Sequence, residues 1–146
     1  MENITQAKEL RENIRVMERL LGALNDTEMS CCNVTMAQCH AIVEIGRAKS
    51  ISLIDLSNLL RLDNSTISRT VNNLVNKGLV SRNLDDSDRR FVTISLTSEG
   101  HKIFNQIENS MEIHFENVLN CIPTEKRNQV LDSLQILVDV FLKLEI

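Results

Sequence analysis

Asn64, Ser65, Thr66, Ser68, Arg69 and Asn72 put short polar side chains first and longer hydrogen-bond donors one turn later, all at helical spacing. Small residues at a helix start let its axis approach the floor of a DNA major groove. Arg and Asn further along match base edges: Arg69 is placed to contact guanine through two bonds and Asn72 adenine. Ser65, Thr66 and Ser68 suit short contacts to phosphates or bases. An ordinary solvated helix face carries Glu and Lys. Between Asn64 and Asn76 there is no acid and a single Arg.

A second cluster follows at once. Leu79 to Leu84 has strand character, and Val92, Ile94 and Leu96 alternate along a returning strand around an Asp/Ser-rich tip of Asp85, Asp86, Ser87 and Asp88. Arg82, Arg89 and Arg90 make this hairpin basic. Arg89 or Arg90 fits a narrow minor groove, where negative potential concentrates, and Asp88 fits a role in pairing with a neighbouring Arg to fix the tip.

A third cluster is sulfur. Cys31, Cys32 and Cys39 lie close in sequence, whereas Cys121 stands alone and reads as packing. Thr35 and Gln38 form a capping box that starts a helix, placing Cys39 in its first turns and Cys31 and Cys32 in a loop before it. Thiols near the positive end of a helix favour thiolate, which binds soft metals or metalloids and reacts with oxidants. Adjacent Cys31 and Cys32 are poorly placed to form an unstrained disulfide with each other, so three sulfurs around one ion is the favoured reading. The plainer alternative makes Cys39 a small buried hydrophobe packed towards Val34. A thiol enzyme lacks support, with no Cys-x-x-Cys pair, phosphate loop or His/Asp partner set. A structural zinc module lacks a four-ligand pattern.

These clusters need a scaffold, and caps with apolar spacing supply it. Ser52 can cap a helix carrying Leu53, Ile54, Leu56, Leu59 and Leu60, and Asp63 can cap the polar helix. Ile67, Val71, Leu74 and Val75 give that helix a core face, and Lys77 and Gly78 suit its end. Only Arg61 and Leu62 remain between the two helices, the tight connection of a helix-turn-helix. Long apolar stripes flank this unit. Ala7, Leu10, Ile14, Met17, Leu21 and Leu24 predict a helix over 4–24. Ile103, Ile107, Met111, Phe115 and Val118 predict another from Thr97. Val130, Leu134, Leu137, Val138, Phe141 and Leu142 predict a last one after Pro123–Thr124. Stripes this regular at both chain ends suit pairing between two subunits.

The expected fold is mainly α with a small β-hairpin wing, a single domain over 1–146. It comprises a winged helix-turn-helix over about 34–100 and dimerisation helices over about 1–29 and 101–146. The 146 residues can bury a core, one Pro and four Gly leave no flexible linker, and no apolar run is long enough to cross a bilayer. A cytoplasmic protein is expected. The net charge of -4 is unevenly spread: residues 61–102 carry seven Lys/Arg against five acids, a net +2, and the remainder carries -6. Because charges beyond roughly 10 Å are screened at cellular salt, a local basic face can still meet phosphate. Four Phe with no Trp or Tyr argue against a stacking platform for single strands.

The run Leu59-Leu60-Arg61-Leu62-Asp63-Asn64-Ser65-Thr66-Ile67-Ser68-Arg69-Thr70-Val71, then Leu74, Lys77-Gly78-Leu79-Val80, Asp88-Arg89-Arg90 and Ser95-Leu96-Thr97-Ser98-Glu99-Gly100, resembles the MarR family of bacterial transcription regulators. The resemblance implies a homodimer of winged helices joined through the terminal helices. It further implies a pseudo-palindromic operator in double-stranded DNA and, usually, repression relieved by a small effector. By position it puts Ser65, Thr66, Ser68, Arg69 and Asn72 on the recognition helix and Asp88, Arg89 and Arg90 on the wing. Some family members bind zinc through a Cys before the second helix and His residues on the second and fifth. Here only His40 and His114 can take the His roles. Other members take an organic, aromatic or phenolic ligand between the DNA unit and the dimer helices. The reading is a DNA-binding repressor, not an enzyme, released by a soft metal(loid) or oxidant at Cys31, Cys32 and Cys39, with an organic ligand as the alternative.

Overall fold

Capping residues fix the helix borders. The computed structural model describes the backbone of residues 2–84 and 92–144, with the side chains of 5–22, 33–84 and 92–144. Helix α2 (Met36–Ala48) starts at Thr35, whose Oγ1 accepts from the Gln38 amide at 3.2 Å while Gln38 Oε1 accepts from the Thr35 amide at 3.1 Å. Helix α3 (Leu53–Leu60) starts at Ser52, whose Oγ accepts from the Asp55 amide at 3.1 Å. Asp63 opens helix α4 (Asn64–Asn76). Gly78 takes the left-handed conformation after it, with φ +76°, as a residue without Cβ does at least cost.

The chain divides into two compact units, Met1–Glu108 and Asn109–Ile146. In the first, α2, α3 and α4 pack with a three-stranded antiparallel sheet in the order β1 (Ile51–Ser52), β3 (Val92–Leu96), β2 (Val80–Leu84). Val80 stands opposite Leu96, Arg82 opposite Ile94 and Leu84 opposite Val92, while Ile51 of β1 also pairs with Ile94. The short β1 was not foreseen: two residues give too little alternation to show in sequence. Ile42, Ile45, Leu56, Ile67, Val71, Leu74 and Ile94 are completely buried and form the centre of the core. Gly46 of α2 lies where an added Cβ would be 2.4 Å from the ring of Phe104, so α2 and the facing turn of α5 (Ser98–Asn120) are held close by the missing side chain.

Helix α1 (Glu2–Cys32) is longer than expected and corrects the placement of two cysteines. The apolar stripe runs only to Leu24, before Asn25-Asp26-Thr27, and Cys31 and Cys32 read as residues of a loop leading into α2. The helix instead continues through both to Asn33, which has φ +57°. The physical reason is cooperativity: Asn, Asp and Thr each cost only about 0.7 kcal/mol or less inside a helix, which propagation tolerates once the helix exists. Leu10, Met17, Leu20 and Leu21 of α1 are exposed.

In the second unit a 3-10 turn (Thr124–Lys126) leads into helix α6 (Arg127–Leu144), and Arg127 Nε donates to the Ile122 carbonyl at 3.0 Å across the bend. No residue of α6 is buried, although Leu131, Leu134, Ile136, Val138, Val140, Leu142 and Leu144 are large and apolar. No helix among the described residues is long and apolar enough to cross a membrane.

Candidate nucleic-acid interface

Helix α4 has two chemically opposite faces. Ile67, Thr70, Val71 and Leu74 are buried, with the Thr70 hydroxyl satisfied by the Thr66 carbonyl at 3.1 Å. At 100° per residue that stripe leaves the opposite face to Asn64, Ser65, Arg69, Asn72 and Asn73, all exposed, with Ser68 and Thr66 half-buried beside them. The packing that fixes one face therefore presents the other. Arg61, in the left-handed region at φ 55°, ends α3 and sets the angle at which α4 departs; its amide donates to Asn58, and Leu62's donates to Ser57. Ser57, itself buried, returns its hydroxyl to the Leu62 carbonyl at 2.5 Å.

The first turn of α4 is held by Asp63. Its Oδ1 accepts from the Thr66 amide at 2.6 Å and from the Ser65 hydroxyl at 2.8 Å. Ser65 thus serves the cap before it serves DNA. Those bonds, Thr66's first, hold the Asp63 carboxyl down at about 2 against an ordinary 3.8. A depressed carboxyl stabilises the folded form above its unfolded value and loses that contribution as pH falls through the folded one. The Thr66 amide resonance is therefore expected to titrate with a midpoint near pH 2. A midpoint near 3.8 would show the cap to be absent.

The wing joins the same face. Register puts Arg82 on the face of β2 that also carries the buried Val80, and this is the face that meets α4. The Arg82 guanidinium accordingly donates to Asn72 Oδ1. From sequence, Arg82 counts towards the basic, DNA-facing hairpin and Asn72 towards the recognition helix, as independent candidates for DNA contact. In the structure they form one unit, and the oxygen with which Asn72 would accept from adenine is occupied by Arg82. The other face of the hairpin is tied by Asn83 Nδ2 donating to Ser95 Oγ at 3.0 Å. Asp88, Arg89 and Arg90 lie outside the described residues.

For the cysteines the geometry changes the chemistry. Cys31 and Cys32 occupy the last turn of α1, the negative end of a helix, which disfavours thiolate. Their side chains lie outside the described set. Cys39 is half-buried in α2, its amide donating to the Thr35 carbonyl at 2.8 Å. Among the described residues no three His, Cys, Asp or Glu side chains come together to hold a metal. His40 is exposed on α2 and His114 half-buried on α5.

Two helices joined by a tight left-handed turn, the second with an open polar face and followed by an antiparallel hairpin, define a winged helix-turn-helix, a class that reads duplex DNA with that second helix. The MarR family model matches residues 34–92 of the chain, the helix-turn-helix and the start of the returning wing strand. The chain is 24% identical over 105 residues to the HTH-type transcriptional regulator YdgJ of Bacillus subtilis, covering 72% of this chain and 64% of that relative, slightly under two thirds of its length. It is 29% identical over 93 residues to the multiple antibiotic resistance protein MarR of Escherichia coli, covering 64% and 65%. Its fold is that of Streptococcus pneumoniae FabT, solved in complex with DNA, with a TM-score of 0.82 and 22% identity over 92% of this chain and 98% of the other. Family and neighbours are transcription regulators, not enzymes.

Proposed function

We propose that this protein is a homodimeric transcriptional repressor that reads a two-fold symmetric operator with paired α4 helices. The observation that carries the reading is the open face of α4, capped by Asp63, free of acids, and carrying an exposed Arg69. The complex of FabT with DNA supports the partner. A dimer is supported by the apolar residues that α1 and α6 leave uncovered: an 18-residue amphipathic helix with no buried side chain is incomplete by itself. The terminal helices supply the joint, and two winged units then meet half-sites roughly one DNA turn apart, about 34–36 Å.

The releasing signal is read at the junction of α1 and α2 by a soft metal or metalloid ion held by Cys31, Cys32 and Cys39. The closeness in sequence of three sulfur residues at the end of α1 and in the first turns of α2 supports this. One experiment tests both parts. Footprinting on the DNA upstream of the protein's own gene is expected to protect two symmetric half-sites, with a dimer by light scattering. Arsenite is expected to erase the footprint, and to fail when the three cysteines are Ser. A monomer with a single half-site contradicts the dimer reading. Release by arsenite in the triple Ser variant contradicts the thiol site.

A further inference from the structure

Lys77, at the C-terminal end of the recognition helix, does not serve that helix alone. Its ammonium donates to the Asn33 carbonyl at 3.0 Å and to Gln38 Oε1, also at 3.0 Å, reaching residues 44 and 39 positions earlier in the chain. Gln38 is only 6% exposed, and the same Oε1 closes the α2 capping box by accepting from the Thr35 amide at 3.1 Å. One oxygen therefore receives both the start of α2 and the end of α4.

The partner on the other side is the end of α1. Asn33 sits just past α1 in the left-handed region, and its carbonyl belongs to the negative terminus of that 31-residue helix. The last turn of α1 contains no basic residue of its own. The cation that such a terminus favours comes instead from α4. A lysine acting only on its own helix would turn back towards the last carbonyls of α4. This one spends two of its three protons across the domain.

We infer that Lys77 is a positioning residue that couples the α1–α2 junction to the recognition helix, so that a change at either is felt at the other. The inference deepens the proposed DNA-binding function and rests on it. The coupling is reciprocal by linkage: whatever shifts Asn33 and Gln38 alters how α4 sits on DNA, and DNA bound to α4 firms the junction. It also gives Cys31, Cys32 and Cys39 a physical route to the DNA-reading face, since all three lie within one turn of Asn33 or Gln38 in sequence.

Hydrogen exchange on the full-length protein, with and without its own upstream duplex, tests this. In the wild type, duplex is expected to slow exchange of the amides from Val34 to Cys39 by roughly tenfold, a size typical of coupled sites. Lys77→Met is expected to lose that response while DNA still slows exchange in the first turns of α4. Lys77→Arg, which keeps a cationic donor, is expected to restore it and guards against a general folding defect. A junction response unchanged in Lys77→Met overturns the coupling. So does loss in Lys77→Met that Lys77→Arg, folded by circular dichroism, fails to restore. If wild-type protein does not bind the duplex, the DNA-binding reading itself fails, which is a separate result.

Discussion

Arg69→Ala is expected to lower affinity for the operator by roughly 10- to 100-fold while leaving affinity for unrelated duplex nearly unchanged, the scale of one lost bidentate base contact at about 1–3 kcal/mol. The reasoning starts at the core. Ile67, Val71 and Leu74 are completely buried and Thr70 nearly so, which fixes the rotation of α4 and turns Arg69 to the opposite, exposed side. Asp63 holds the helix start, and Arg82 engages Asn72 one turn beyond. Arg69 is left as the long donor exposed on that face, near the Asp63 carboxylate whose charge it feels. A phosphate contact makes a different prediction: binding would fall alike on all duplexes, and the slope of affinity against salt would drop by about one ion. Competition titrations at two salt concentrations separate the outcomes. Equal loss on operator and unrelated DNA assigns Arg69 to the backbone instead of to a base.

Gly100→Ala is expected to cost about 3 kcal/mol or more of stability, at the upper end of what overpacking does. A Cβ at this position would stand 2.0 Å from the carbonyl oxygen of Leu79 and 3.0 Å from its carbon. The contact is backbone, so no side chain can rotate away. That carbonyl also accepts from the Thr97 amide at 3.0 Å, while Thr97 Oγ1 donates to the Gly78 carbonyl at 2.6 Å and accepts from the Gly100 amide at 3.1 Å. The first turn of α5, the start of the wing and the end of α4 meet in this one cluster, and separating α5 from Leu79 disturbs all of them. With whole-domain stabilities of about 5–15 kcal/mol, a loss of this size should lower the thermal midpoint by about 10 °C. An unaltered midpoint would mean that α5 shifts freely against the wing, contrary to the packing described.

Much of this was legible in the sequence because local chemistry and tertiary structure agree. Thr35, Ser52 and Asp63 cap the helices their side-chain types announce, and Gly78 stops α4 where only glycine does so cheaply. What was hidden falls where two elements meet. The end of α1 was hidden because its apolar stripe stops at Leu24, whereas a helix already formed runs on through Asn25-Asp26-Thr27 to Cys32. That error moved Cys31 and Cys32 from an imagined loop to a helix terminus of the opposite polarity. Arg82 and Asn72 were read separately, since a strand period of two and a helix period of 3.6 do not reveal which residues face each other. Alternation of Val80 and Arg82 on one strand face was the available hint. Lys77 was assigned to its own helix end for the same reason: nothing local marks a side chain that reaches Asn33 and Gln38.

Recognition of a particular duplex sequence by α4 is the core of the proposed function. Its most direct test is fluorescence anisotropy of the wild-type protein on the duplex upstream of its own gene, against a shuffled duplex of equal length and composition. At physiological salt the native duplex is expected to bind at least about 1,000-fold tighter, the lower bound typical of specific recognition. Equal affinity for the two, with both falling steeply as salt rises, would contradict it.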